Sequence, residues 1–336
     1  MDDRRRYLLL NNAAETDHAP AHRLYSTRQL MLRCRFHREY NKKRCNARGF
    51  GARSFEFTYI RTGRYAMQGK YRWPEGVRCV VTLTVDFDGP SHETGRQLAP
   101  LGGNSHGRYA GRRGVHRYLD LFEKHGIPGT FYVPGYDAEC FPQVVKDIHS
   151  RGFEVGAHGY LHEAWDVGDD EEMLLTKSHH ILTDLLGTPP LGWRSPSGRK
   201  SGRTVNILKK LGYIYDSSDK DYDLPYVVRV DGKPVEGMME LPSSAYALDD
   251  FPFYKFSMTP PSEVLAHWQQ EFDTLYHENG YFMLMVHPRS GWGSGTPARA
   301  RIMEDMIRFI KGYQGVRFFQ VGELARWCLD NRQFFD

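Results

Sequence analysis

Cysteine is scarce. The 336 residues hold five, Cys34, Cys45, Cys79, Cys140 and Cys328, an odd number with no CxxC pair. That spacing excludes a disulfide scaffold and a thiolate zinc site. Long apolar runs are missing as well. No stretch approaches the ~20 residues that a membrane helix needs. Behind the basic Arg4-Arg5-Arg6 only Leu8-Leu9-Leu10 follows, short of the roughly 7–15 apolar residues of an export signal. These absences point to a cytoplasmic protein in a reducing compartment, with no membrane partner. No repeat is visible at the sequence level.

The body also lacks strong charge of one sign. The net charge is +4, yet residues 1–66 carry 15 Lys/Arg against 6 Asp/Glu and the rest 30 against 35. The basic excess therefore belongs to the N-terminal arm. The arm has no sustained period and is rich in Arg, Asn and His. It reads as a disordered, solvated extension, or as sequence ahead of a start at Met67. A nucleic-acid-binding or targeting role, to which Asn41-Lys42-Lys43-Arg44 lends a weak nuclear signal, is the lesser reading, and no nucleic-acid partner is expected. The chain divides into this extension, 1–66, and one catalytic domain, 67–336.

From residue 78 the pattern is regular. Apolar β-branched runs alternate with amphipathic ones. RCVVTLTVDFD (78–88), GTFYVPG (129–135), FEVGAHG (153–159), YIYDSSD (213–219), YFMLMVHP (281–288) and VRFFQV (316–321) read as strands, and GWRSPSG (192–198) as a strand end and loop. Helices are expected over 114–126, with Val115, Tyr118, Leu119 and Phe122 on one face, and over 142–152, 204–212, 262–280, 300–313 and 322–329. A further helix, 169–187, has acids in its first turn and a stripe through Leu174, Ile181, Leu182, Leu185 and Leu186. Residues 89–112 read as a polar loop. Residues 220–261 look irregular, with a hairpin about Asp231-Gly232. About seven β/α units without linkers predict an α/β protein with a parallel sheet, closed or partly closed into a (β/α) barrel. In such barrels the chemistry lies at the carboxyl ends of the strands.

Three polar groupings fall there. Asp86 and Asp88 end the first strand. Side chains alternate along a strand, so both acids share a face with Thr82 and Thr84, their Cα atoms ~6–7 Å apart. An aspartate before Gly89-Pro90 commonly just caps a loop. Two on one face of an apolar strand argue for more, because buried carboxylates need partners. His158-Gly-Tyr-Leu-His162 has the spacing by which two imidazoles on a tight turn reach one metal. The pair His179-His180 does not, since adjacent helical positions diverge. One carboxylate and two imidazoles leave positions open, the mark of a catalytic rather than a structural site. That N/O set suits Zn²⁺ first, with Co²⁺, Ni²⁺ or Fe²⁺ also accommodated. A second carboxylate off the metal is placed to take a water proton. Arg194 offers a rigid fork for a carboxylate, and His287 ends an almost wholly apolar strand.

In this order the segments resemble the polysaccharide deacetylases (the NodB-homology domain, carbohydrate esterase family four). TVDFDGP is similar to that family's acid motif, HGYLH to its H-x3-H motif, WRSPSG to its Arg-x-Pro loop and LMVHP to its late histidine motif. The resemblance spans about residues 70–330. GYLHEAW, ELPSSAYALDDFP and VHPRSGW look more like a branch of peptidoglycan-deacetylase-like proteins and relatives acting on cyclic imides or ureides. The resemblance implies a distorted (β/α)7-type barrel. It implies Asp88, His158 and His162 as metal ligands, Asp86 as general base, Arg194 as the partner tuning Asp86, and His287 as general acid, supported by Asp249 or Asp250. It also implies a homo-oligomer. In one respect the chain departs from the common pattern: Phe87 separates two acids that are usually adjacent, while Asp88 keeps its place beside Gly89.

The function expected is metal-dependent hydrolysis of a non-peptide C–N bond, foremost de-N-acetylation of an N-acetylated sugar or polysaccharide. Opening of a small cyclic imide or ureide by the same groups is the alternative. A catalytically silent carbohydrate-binding protein is a third.

Overall fold

Strand β1 (Cys79–Asp86) is buried along its whole length. Its odd residues Cys79, Val81, Leu83 and Val85, followed by Phe87, pack outward against helices. Val80 faces the interior among Tyr132, Tyr215, Tyr281 and Met283. The alternation that put Asp86 on the face of Thr82 and Thr84 therefore directs all three into the barrel. The computed structural model describes residues 73–163, 168–243 and 246–335. The expectations for residues 1–66 lie outside them.

Around β1 the sheet runs in the order β6 (Tyr226–Val230), β7 (Lys233–Glu240), β5 (Tyr215–Asp216), β4 (Gly192–Trp193), β3 (Glu154–Ala157), β2 (Gly129–Val133), β1 and β8 (Tyr281–Val286). Every neighbour pair is parallel except β6–β7. A ninth strand, β9 (Val316–Phe318), pairs with the first three residues of β1, and β2 with its last four. The backbone at Leu248–Asp249 bridges Met285 and extends the sheet beyond β8. The result is a partly closed (β/α) barrel, as the alternation led one to expect, of the distorted (β/α)7 type that the resemblance implied. Asp231 (φ 50°) and Gly232 (φ 75°) form the expected hairpin, since two positive φ values match the twist of paired strands.

Helix α1 (Val115–His125) buries Val115, Tyr118, Leu119 and Phe122 as its periodicity requires, and ends at the left-handed Gly126. Helices α2 (Pro142–Ser150), α3 (Glu171–Leu186), α4 (Gly202–Lys210), α5 (Pro261–His277), α6 (Pro297–Lys311) and α7 (Val321–Asp330) follow their strands. α3 sets Ile181, Leu182, Leu185 and Leu186 of the expected stripe against the core, Leu182 fully buried and the others half-buried, while Leu174 stands outside it. It also buries Leu175, Ser178 and His179, Ser178 donating to the Gly159 carbonyl (2.7 Å) and His179 packing on the Tyr213 ring (5.3 Å). The segment read as a polar loop holds short turns at Ser91–Thr94, Gly102–Asn104 and His106–Tyr109, then a π-turn at Ala110–Gly114. None is long enough to leave a periodic signature.

Candidate active site

At the carboxyl end of β1 the chain turns sharply. Asp88 adopts φ 40°, in the left-handed region that few non-glycine residues occupy. The turn is clamped from two sides. On one, buried Asp137 accepts hydrogen bonds from the Gly89 amide (2.7 Å), the Ser91 amide (2.8 Å) and the Ser91 hydroxyl (2.6 Å). A β-carbon at residue 89 would meet the Asp137 carboxyl at 2.6 Å, hence the glycine. On the other, Arg289 donates to the Asp88 carbonyl (2.6 Å) and the Gly89 carbonyl (3.1 Å) and pairs with Glu93. Burial pushes the Asp137 carboxyl up to about 7 despite its donors.

The clamp aims Asp88 at two imidazoles. Its Oδ2 lies 3.1 Å from His162 Nε2 and its Oδ1 3.4 Å from His158 Nε2. His158 Nδ1 is 2.7 Å from the Arg194 carbonyl. A carbonyl can only accept, so Nδ1 carries a proton and Nε2 is the ring atom turned toward Asp88. Asp88 Oδ1, also buried, has no hydrogen-bond partner among the described residues. A buried carboxylate calls for a positive partner, and the two imidazoles and this oxygen converge where one can be shared. The ligand atoms of Asp88, His158 and His162 lie within 4.8 Å of one another, so the three residues fit a divalent ion. Burial alone would raise the Asp88 carboxyl, but His162, His158 and His287 outweigh it and hold the group well below the usual range. His162 is itself left-handed (φ 51°), and the Glu163 carboxylate steadies its turn by accepting from the Tyr160 and Leu161 amides.

Asp86, one step back along the same face, is held by Arg194. The guanidinium Nη1 donates to Asp86 Oδ1 (2.7 Å) and Thr84 Oγ1 (2.9 Å), Nε to the Ser217 carbonyl (3.0 Å), and Nη2 to Ser217 Oγ (2.9 Å) and Met283 Sδ (3.0 Å). All five donors of the fork are engaged, and the Tyr132 ring lies 4.1 Å away. Asp86 Oδ2 faces His158 Nε2 at 3.8 Å.

His287 follows β8. Its Nδ1 meets Asp250 Oδ1 at 2.6 Å, and Asp250 Oδ2 accepts from the His287 amide (3.0 Å), the Ser294 amide (2.8 Å) and the Ser294 hydroxyl. Asp249 instead caps the Phe251 amide (2.8 Å) and stands 3.7 Å from Nδ1. Of the two aspartates, Asp250 is thus the one bonded to the ring. Burial alone disfavours the charged imidazole. Asp250 outweighs it, with Asp249 and Asp88 adding, and pushes His287 up to about 10. With its oxygens committed to donors, Asp250 orients His287 rather than ligating a metal. His287 Nε2 points back to Asp88 Oδ2 at 3.8 Å.

Asp86, Asp88, His158, His162, Arg194 and His287 all line one cavity of about 270 Å³. Sequence reasoning placed these six at strand ends and gave no part to other wall residues, among them His92, Arg96, Lys220, Tyr246, Phe251 and Trp292. Trp292 packs edge-on against Phe251 (4.9 Å) and His287 (5.0 Å). Tyr246, Phe251 and Trp292 lie within segments that carried the branch resemblance, the one signal available for them. Among the described residues no helix is long and apolar enough to cross a membrane.

A barrel that gathers these groups at its strand ends has the build of a hydrolase, and comparison with known proteins is specific about the kind. The family model for polysaccharide deacetylase matches residues 79–215. The chain is 34% identical over 255 residues to the peptidoglycan deacetylase of Helicobacter pylori, covering 66% of this chain and 85% of that protein. It is 28% identical to the peptidoglycan deacetylase-like protein FGM2 of Gibberella zeae, over 77% of this chain and 89% of that one. A Mycobacterium smegmatis structure assigned to the polysaccharide deacetylases superposes with a TM-score of 0.71 at 31% identity, covering 78% of this chain and 94% of that chain. The chain belongs to the polysaccharide deacetylase family and is a hydrolase of carbon–nitrogen bonds other than peptide bonds. Allantoinase PuuE, at TM-score 0.67 and 24% identity, shares the fold.

Proposed function

We propose that the chain is a metal-dependent deacetylase that removes the acetyl group from an N-acetylated sugar or sugar polymer. The observation that carries this reading is Asp88 facing Nε2 of both His158 and His162, with Asp86 beside them. The names of the Helicobacter pylori and Gibberella zeae relatives support the choice of substrate class.

Asp88, His158 and His162 would hold the ion, Zn²⁺ first by donor chemistry, with Co²⁺, Ni²⁺ or Fe²⁺ alternatives. When bound, a divalent cation polarises a carbonyl and makes water a nucleophile near neutral pH. Asp86 accepts the proton of the attacking water through Oδ2, while Arg194 fixes Oδ1. His287 Nε2 gives a proton to the departing nitrogen. Asp250 aims the ring and stabilises it while charged. Trp292 and Phe251 keep water from the His287 side of the cavity. Residues 67–336 carry this chemistry, and the extension 1–66 takes no part.

The test is metal analysis of purified protein with hydrolysis assays on chitin oligomers and on succinimide. Bound divalent metal and acetate release from the sugar support the reading. Ring opening of succinimide alone replaces it with a cyclic amidohydrolase. A metal-free protein that binds sugar without turnover replaces it with a binding module.

A further inference from the structure

The cavity wall holds cations that the chemistry above does not use. Lys220, from the segment after β5, donates one hydrogen bond to Ser243 Oγ (2.8 Å), and Ser243 is itself 2% exposed. The lysine stem runs past Gly198, where a β-carbon would meet Cε at 3.4 Å. No carboxylate among the described residues comes within 4.0 Å of Lys220 Nζ. Acids are not lacking nearby. Lys200, from the segment after β4, binds Asp216, Asp219 and Glu240 together. Asp219, the residue before Lys220, is spent on Lys200 (2.9 Å) and the Tyr226 hydroxyl (3.0 Å). Two of the three ammonium donors of Lys220 are left for something that enters the cavity.

Arg96, on the segment after β1, is in the same condition. Its Nη1 donates to the His92 carbonyl (2.8 Å) and, more weakly, to the His162 carbonyl (3.4 Å), and no described carboxylate lies within 4.0 Å. Arg194, by contrast, is neutralised by Asp86. Lys220 is the better ligand group of the two, since its ammonium is anchored by a buried hydroxyl rather than by the loop that bears His162.

We propose that Lys220 is a specificity-determining residue that binds a carboxylate on the substrate, so that the preferred substrate is an N-acyl compound bearing an acidic group. The inference rests on the reading of this cavity as the active site. A single ammonium with two donors to spare matches a monoanionic carboxylate.

N-acetylmuramic acid and N-acetylglucosamine differ by one lactyl carboxylate and serve as probes. Binding is measured by calorimetry on the metal-loaded D86N protein, in which the proposed base is blocked. The acidic sugar is expected to bind about 10- to 100-fold more tightly, the range of a hydrogen bond to a charged group. In D86N/K220M the preference falls to about threefold or less, and D86N/K220R restores it in part. Near-ultraviolet circular dichroism checks that each variant is folded. Binding that fails to distinguish the two sugars in D86N, including no binding of either, overturns the proposal, as does a preference that survives K220M. Acetate release by the native chain is scored separately. Its absence from both sugars refutes the deacetylation reading without altering the binding result.

Discussion

Replacing Arg289 with methionine tests whether the turn at Asp88 depends on its clamp. Arg289 is fully buried, with its guanidinium 4.5 Å from the Trp292 ring. The substitution leaves Glu93 buried with only His92 (3.5 Å) beside it, a loss approaching the ~3–5 kcal/mol of a broken buried pair. It also strips a charged donor from the Asp88 and Gly89 carbonyls, each worth about 1–3 kcal/mol when orphaned. Relaxation recovers part of this, so the expected net loss is about 5 kcal/mol, a large share of the roughly 5–15 kcal/mol of a typical domain. The double variant R289M/E93Q removes the stranded charge and regains about half. Urea titration followed by tryptophan fluorescence measures both. The double variant also isolates the clamp. If Arg289 holds Asp88 in its left-handed turn, divalent metal affinity, read by chelator competition, falls about 10- to 100-fold, as for other supports of metal ligands. The pH dependence has a definite sign. Burial would raise Glu93, but His92 and Arg289 hold it below its ordinary 4.5. Its contribution is therefore present above about pH 4.5 and is lost as pH falls through the lower folded value, and E93Q abolishes that acid limb. A folded double variant with native metal affinity would refute the argument, because Asp137 alone would then suffice to set the turn.

Three further outcomes are expected. Asp86→Asn keeps metal content by elemental analysis yet lowers kcat by about 10²- to 10⁴-fold, the usual share of a general base; undiminished turnover means the base lies elsewhere. Gly89→Ala drives a methyl into the Asp137 carboxyl and costs about 1–3 kcal/mol in urea titration, whereas a neutral result would mean that the loop yields freely. Deleting residues 1–66 leaves kcat/KM for a chitin oligomer within about twofold, because the groups assigned to the chemistry all lie after them; a larger loss assigns the extension a part in catalysis.

Much of this architecture is legible in the sequence because long amphipathic helices and buried parallel strands have strong, opposite periods. The alternation Val80, Thr82, Thr84, Asp86 along β1 correctly put both aspartates on the inner face, with Phe87 merely occupying the outward position between them. What stayed hidden has no period. Asp137 and Glu93 lie in helices of six and four residues, and their task is to bind loop amides or a distant arginine. The choice between Asp249 and Asp250 turned on a backbone bend of one residue. The stripe of α3 came out except at Leu174, and buried Ser178 and His179 had no apolar signature to reveal them. Lys220 carries no motif at all. It becomes conspicuous only when the acids around it are found to be engaged elsewhere.

The left-handed backbone at Asp88 and His162 limits how this centre can be re-engineered. Aspartate, asparagine and histidine tolerate that conformation better than most side chains. Another side chain, cysteine included, would add about 1–2 kcal/mol of steric cost at each position. Directed evolution toward thiophilic ions, which would begin with cysteine at one of these two sites, therefore starts at a disadvantage set by the main chain. His158 lies outside the positive-φ set, and the easier route to a new ion preference runs through that position.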